Sequence, residues 1–493
     1  MLLTKHLYFS IFFYVILGIF LSSCSRNPVT GKKELSFMSE SQERALGLQS
    51  DPQVVTEFGL YDDQAIQDFI NEKGQEMVKV SHRASLPFEF KVLNSSVVNA
   101  FALPGGFVYF TRGILAHFNN EAEFAGVLGH EIGHVTARHG AQQYTQQMLS
   151  QIGFIAGMVI SPTVRQFANE ISQGIQLMML SNSRADESQS DELGVEYSTK
   201  VGYDADYMAG FFTTLSRLGK SSGASEIPDF LSTHPNPDDR HDKVLELANN
   251  WKSKVNAAPY KVERNSYLEL IDGIMYGDNP REGFTENNVF YHPDLKFTYP
   301  YPSGWQLVNS PSQVQIVGAE GNAMMIMSLA QGSSLKEAAD GFIEQYQLQL
   351  VESGSKNVNG YPAYQIVADQ VNQEAPEQSA RLLAYFYQDT EHDLIYQILG
   401  VSAKTTFNQY SNYFLFTLDN FKKLTDSEKL NVQPERIKVV QVPFGMTVEN
   451  AFRKYNIPTD RFEEFAVLNN MNLTDKLETN QYLKVVEKYT INK

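Results

Sequence analysis

Hydrophobic and polar positions along this chain repeat with two periods, and each predicts its own kind of element. A continuous apolar run, Leu7–Leu21, follows Lys5. Ser39-Glu40-Ser41-Gln42 has the spacing of a capping box and predicts a helix start. Ile66, Phe69, Ile70 and Met77 recur at helical spacing and predict a helix from about Asp63 to Val80. Phe88–Val98 alternates as a strand does, and Gly105–Phe110 predicts another strand after the turn Pro104-Gly105-Gly106. Phe124, Leu128, Ile132 and Val135 set the apolar stripe of a helix over Glu121–Arg138. Residues 141–180 are Gln-rich and then apolar. Ile152–Ile160 is too short to span a bilayer and reads as a core helix or a loop covering substrate. Ser183–Lys200 and Asp206–Leu218 are predicted helices. After Trp251 the composition turns polar, and residues 251–285 read as a linker. Residues 286–425 mix strands (Ala323–Leu329, Ala363–Val367, Leu382–Tyr387, Leu394–Leu399) with helices near Leu335–Leu350 and Phe407–Phe421, an α+β accessory domain. A second linker, Thr425–Glu435, precedes a small strand–helix–helix–strand unit over residues 436–490. The expected fold class is therefore multidomain α+β.

Composition narrows the function classes. With 57 Asp+Glu against 40 Lys+Arg the chain carries a net charge of −17, so a nucleic-acid partner is excluded for want of clustered cations. One cysteine in 493 residues excludes an intramolecular disulfide and any cysteine-based zinc site. That cysteine closes Leu21-Ser22-Ser23-Cys24, which resembles a bacterial lipobox at the end of a signal peptide spanning residues 1–23. The resemblance implies lipidation at Cys24, with residues 24–60 a lipidated tether and N-terminal helix. By the same resemblance, Ser25 rather than Asp after the cysteine implies a lipid anchor on the periplasmic face of the outer membrane.

The chemistry concentrates in Gly129-His130-Glu131-Ile132-Gly133-His134. On a helix, positions i and i+4 share a face, so both imidazoles can reach one ion while Glu131 stands beside them. Zinc catalysis needs a third protein ligand and one open position. His139 is a poor candidate, because the metzincin spacing needs Gly at 137 and His at 140, where this chain has Ala137 and Gly140. It reads as a solvent-facing or helix-end residue. Glu187 is the better candidate, with Asp191 one turn further along the same face. From spacing alone, a ligand carboxylate with a supporting carboxylate and an ordinary acidic surface helix both remain open.

Several stretches together resemble the gluzincin family that contains the CAAX prenyl endopeptidases, the heat-shock membrane protease HtpX and the periplasmic β-barrel assembly-enhancing proteases. They are Asn27–Gly31 with Ser39–Gly47, then Asn99–Leu115, Glu121–Gly140, Ser183–Gly194 and Ser232–Arg240, in the family's order. The resemblance implies a mainly helical zinc metallopeptidase domain over residues 61–250 with a small active-site sheet. It implies one zinc ion held by His130, His134 and Glu187, with Glu131 as general base on the water held at the zinc. Asp191 would orient His130. His234 would lie near the metal, either binding the oxyanion or filling the open position and restraining activity. Arg240 would support its own segment or pair with Asp191. Asn99, Ala100, Phe101 and Ala102 would form an edge strand that takes up substrate as an added strand, Ala100 and Ala102 leaving room for its side chains.

Residues 286–425 resemble α/β sandwich units that follow the protease in lipoprotein relatives. The tail, with Val442, Gly445, Thr447 and Leu468–Asn472, resembles a LysM unit, which implies peptidoglycan as a partner. Met446 and Asn480 depart from that pattern. The expected function is a zinc endopeptidase on the bacterial envelope, acting on misfolded or assembly-stalled envelope and outer-membrane proteins. The alternative is a lipid-anchored chaperone or scaffold with a mainly structural zinc site.

Overall fold

The structure is a computed structural model and describes residues 24–35, 38–151, 182–221, 230, 233–234, 237–255, 258–373 and 375–488. The expected signal peptide and the apolar run Ile152–Ile160 lie outside the described residues. Among the described residues no helix is long and apolar enough to cross a membrane.

The described residues open with an antiparallel pair, Cys24–Arg26 with Lys33–Leu35. Asn27 fastens the turn between them. Its Oδ1 accepts from Val29 N at 2.8 Å, and its Nδ2 donates to Ala137 O at 3.2 Å. Part of the stretch that reads as polar tether is thus pinned to the end of a buried helix, Glu121–Ala137. The helix Glu40–Phe58 begins in the expected capping box of Ser39 and Gln42. Its buried Glu43 sits between two guanidiniums, with Arg83 Nη1 at 3.0 Å and Arg138 Nε in contact. Asp63 caps the helix Gln64–Val78.

A three-stranded sheet follows. Phe107–Thr111 lies in the centre, parallel to Glu89–Leu93 and antiparallel to Ala100–Leu103. The predicted strand Phe88–Val98 is shorter than its alternation implied, because the chain leaves the sheet after Leu93.

Every residue of Glu121–Ala137 is buried. A helix enclosed on all sides needs close neighbours, and three glycines provide one. A Cβ on Gly129 would meet Gly194 O at 2.9 Å. A Cβ on Gly194 would meet Gly126 O at 2.9 Å and His130 N at 3.0 Å. The helix Arg184–Lys200 therefore crosses in near backbone contact. Asp206–Ser221 and Pro237–Lys254 complete the helical shell.

Residues 251–285 do not behave as a linker. They contain the helix Arg264–Leu270 and the short strand Met275–Tyr276. Tyr267, Leu268, Ile271 and Ile274 are buried in the main core. Average polarity concealed this apolar set, because burial follows spacing rather than mean composition.

The accessory region is a seven-stranded antiparallel sheet in the order Gln306–Asn309, Gln313–Val317, Ala323–Leu329, Leu394–Ala403, Ala380–Asp389, Tyr361–Gln370, Gln349–Val358. The helix Leu335–Gln345 covers one face through Ala338, Ala339 and Phe342, and Phe407–Leu418 covers the other through Phe414 and Leu418. The predicted helix Leu335–Leu350 ends at Gln345, since Gln349 already belongs to an edge strand whose side chains are mostly exposed.

The C-terminal elements run strand, helix, helix, strand, with Glu435–Gln441 antiparallel to Tyr482–Lys488. Glu435 and Arg436 also pair with Met275–Tyr276. Buried Lys484 donates from Nζ to Ala116 O at 2.8 Å and Phe118 O at 2.9 Å. Ile437, Phe452, Phe465 and Leu483 share one core with the helical region.

Candidate metal centre

Glu121–Ala137 starts where Asn120 Oδ1 accepts from Glu123 N at 2.8 Å. It carries His130 and His134 one turn apart, facing the crossing helix. Ser183 caps that second helix, with Glu187 in its first turn. The glycine crossing brings the two faces together. His130 Nε2 lies 2.9 Å from His134 Nε2 and 3.5 Å from Glu187 Oε2, and His134 Nε2 lies 3.3 Å from Glu187 Oε1. His234 enters from the segment before Pro237–Lys254. Its Nδ1 is 2.9 Å from Glu187 Oε1 and 3.2 Å from His130 Nε2. One ligand atom from each of the four lies within 4.8 Å of all the others, and all four residues are buried.

These residues fit a tetrahedral cation. Ligand bonds of about 2.0–2.1 Å place neighbouring donors about 3.3 Å apart, close to the spacings above. The environment agrees. Burial, opposed by Glu187 and Asp191, lowers the His130 pKa to about 3, so the imidazole is neutral and its nitrogen free to ligate. Burial alone would raise Glu187, but the His234 ring and a hydrogen bond from His134 hold it well below the usual carboxylate range. Glu131 Oε1 is buried without a hydrogen-bond partner, an orphan that a water beside the metal would satisfy. Burial, aided by the Glu187 charge, pushes Glu131 up to about 7.

Asp191 Oδ1 lies 3.0 Å from His130 Nδ1. Arg240 grips Asp191 with Nε at 2.8 Å and Nη2 at 2.5 Å, and its Nη1 is 2.8 Å from Glu187 Oε2. Asp191 stays ionised because this guanidinium outweighs burial. Of the two placements open for Arg240, the structure has the pairing with Asp191. The ring of Phe230 stacks on His234 at 4.4 Å, and the Arg240 guanidinium lies over Phe212 at 4.3 Å.

Of the two readings open for His139, the structure has the helix end and not the solvent-facing one: it begins a helix and is buried. Its Nδ1 is 3.0 Å from His134 Nδ1, and its Nε2 is 3.0 Å from Gln189 Oε1. Arg138, at φ 65°, turns the chain back on itself and brings the ring inward. No spacing rule for a continuous helix could have placed it there.

The strand Ala100–Leu103 is an edge strand, and the cleft before the metal centre is lined by Phe101, Ala102 and Leu103 opposite Glu131, His134 and His234. Ala102 is half-buried, but Ala100 is fully buried and lies away from the cleft. Asn99 is also buried, its backbone carbonyl accepting from Thr111 N at 3.0 Å. The strand Cys24–Arg26 begins at Cys24.

Two crossing helices that bring a His-Glu-x-x-His face and a glutamate together have the arrangement of a gluzincin-type metallopeptidase site. Residues 65–248 match the model of Peptidase family M48. It is 29% identical over 272 residues to the β-barrel assembly-enhancing protease of Yersinia pestis, covering 51% of this chain and 56% of that protein. It is 32% identical over 189 residues to the mitochondrial metalloendopeptidase OMA1 of Arabidopsis thaliana, covering 38% of this chain and 37% of that protein. The chain thus spans about half the length, or less, of these curated relatives. Among solved structures, the cyanobacterial PsbP protein of Synechocystis sp. PCC 6803 is similar over 27% of this chain and 91% of its own, at 15% identity and a TM-score of 0.23.

Proposed function

We propose that this chain is a zinc-dependent endopeptidase, tethered to the bacterial envelope through a lipid on Cys24, that cuts misfolded or assembly-stalled envelope proteins, outer-membrane proteins among them. The observation that carries the reaction class is the buried convergence of His130, His134 and Glu187 with Glu131 beside them. The substrate class rests on the similarity to the β-barrel assembly-enhancing proteases.

In this reading His130, His134 and Glu187 hold the ion. When bound, zinc supplies Lewis acidity that activates a water and polarises the scissile carbonyl. Glu131 takes the water's proton and later delivers a proton to the leaving amine, a task suited to a carboxyl poised near neutral pH. Asp191, fixed by Arg240, holds the His130 ring in its ligating orientation. His139 does the same for His134. An extended substrate lies along the open edge of Ala100–Leu103, held by backbone hydrogen bonds, with a side chain over Ala102. His234, packed on Phe230 with its Nδ1 2.9 Å from Glu187 Oε1, would fill the open position beside a bound ion and so restrain the resting chain.

A pure scaffold has no use for Glu131, and that separates the two readings. Glu131→Gln is expected to retain one zinc per chain and to lose cleavage of unfolded protein by about 10²–10⁴-fold, the range general-base catalysis supplies. Retained cleavage refutes the mechanism. Full complementation of cells by the inactive variant favours the scaffold.

A further inference from the structure

A second, much larger cavity of about 1580 Å³ lies between the metallopeptidase region and the accessory sheet. Small-molecule sites usually enclose about 300–1,000 Å³, so this groove has the dimensions of a polymer site. Phe101 borders both this groove and the cleft at the metal centre, so the two lie on either side of one buried residue of the strand Ala100–Leu103. The facing wall presents Leu307 and Val308 from Gln306–Asn309, itself the edge of the seven-stranded sheet among the described residues. Three exposed apolar side chains converge here: Val308 (60% exposed), Leu329 (51%) and Val97 (37%). Single exposed hydrophobics are ordinary, but three on one groove mark a surface that meets something apolar.

Polar bridges hold the walls apart. Ser312 Oγ donates to Glu57 Oε2 at 2.8 Å, and Asn94 Nδ2 donates to Glu282 Oε1 at 3.0 Å. The lining carries Glu57, Asp278 and Glu282 against one guanidinium, that of Arg112, while a fourth carboxylate, Glu435, is paired with Arg461 at 2.9 Å. His292 adds no positive charge near neutral pH, because burial lowers its pKa to about 4. An acidic, apolar groove with a strand edge on each wall selects by charge as well as by shape.

We propose that this groove is an extended-substrate site: it takes an unfolded polypeptide segment in strand conformation, apolar at alternate residues and basic between them, and feeds it along Ala100–Leu103 to the metal centre. The inference deepens the peptidase reading and rests on it for the fate of the bound chain, though not for binding itself. The added strand's backbone pairs with the edges, and its apolar side chains meet Val308 and Leu329.

The test uses the full chain carrying Glu131→Gln, loaded with zinc, and three fluorescent peptides that share one central sequence. One is short. One carries an eight-residue Val/Lys extension, and one a Val/Glu extension. By fluorescence anisotropy, the Val/Lys peptide is expected to bind at least 10-fold more tightly than the short one, and the Val/Glu peptide no more tightly. Val308→Asp and Leu329→Glu, both on exposed side chains, are expected to abolish the gain and leave the short peptide unchanged. A benzophenone amino acid at position 308 is expected to crosslink the Val/Lys peptide. Equal affinity for all three peptides, or a gain untouched by both substitutions, overturns the proposal. So does crosslinking from position 308 only to this chain, to a second copy or to lipid vesicles. If the long peptide binds through the groove while wild-type protein cuts none of the three, the groove stands and the peptidase reading falls.

Discussion

Individual side chains here do more by orienting one another than by any single contact. Asp191 touches no substrate. It sits between His130 and Arg240, so Asp191→Asn is expected to weaken zinc binding about 10–100-fold, measured by competition with a chromophoric chelator. Far-UV circular dichroism should remain native. His117 makes a different point. Fully buried, its Nδ1 lies 2.7 Å from Gly113 O, and burial lowers its pKa to about 4. A histidine depressed in the folded state stabilises the protein above its unfolded pKa of 6.5, and that contribution disappears as pH falls toward 4. Between pH 7.5 and pH 5 the loss amounts to about 2 kcal/mol, at about 1.4 kcal/mol per pKa unit. His117→Gln is therefore expected to flatten the fall in urea stability over that range. An unchanged pH slope would remove His117 from the account.

At the scale of elements, the site depends on how closely two helices cross. Gly194 has no room for a methyl group, since Gly126 O and His130 N are both backbone atoms and cannot rotate away. Gly194→Ala is expected to cost about 1–3 kcal/mol by urea denaturation and to weaken zinc binding, because separating the helices carries Glu187 away from His130. Gly341, in the exposed part of Leu335–Gln345, is the control. A Cβ there meets nothing within 4 Å, so Gly341→Ala is expected to stabilise by up to about 1 kcal/mol through helix propensity.

At the scale of the molecule, the C-terminal unit belongs to the metallopeptidase core. Lys484 reaches out of its own strand to cap two carbonyls just before the first ligand helix. Lys484→Met leaves both carbonyls without this donor, at a cost of about 1–3 kcal/mol for each one stranded. Calorimetry is expected to show one transition for the helical region and the C-terminal unit together, shifted down in the variant. Two separate transitions, with only the C-terminal one moving, would show that the unit folds as an independent bead. Whether that unit binds glycan is a separate proposal, tested by pull-down on purified peptidoglycan.

Much of this was legible in advance where a local rule suffices. The helices Glu121–Ala137 and Arg184–Lys200, the Ser39 capping box and the strand Ala323–Leu329 all follow from periodicity or cap chemistry within a few residues. The pairing of His130 with His134 is likewise local, because i and i+4 share a helical face whatever surrounds them. Tertiary structure alone decided the rest. The inward turn of His139 depends on a left-handed Arg138, the burial of Ala100 on its sheet neighbours, and the folding of residues 251–285 on a core built by distant segments. Glu187 reaches His130 only because glycines on two helices, more than sixty residues apart between Gly129 and Gly194, let their backbones touch. Sequence determines what a residue can do with its near neighbours. Which distant groups meet it depends on packing, and packing is a property of the whole chain.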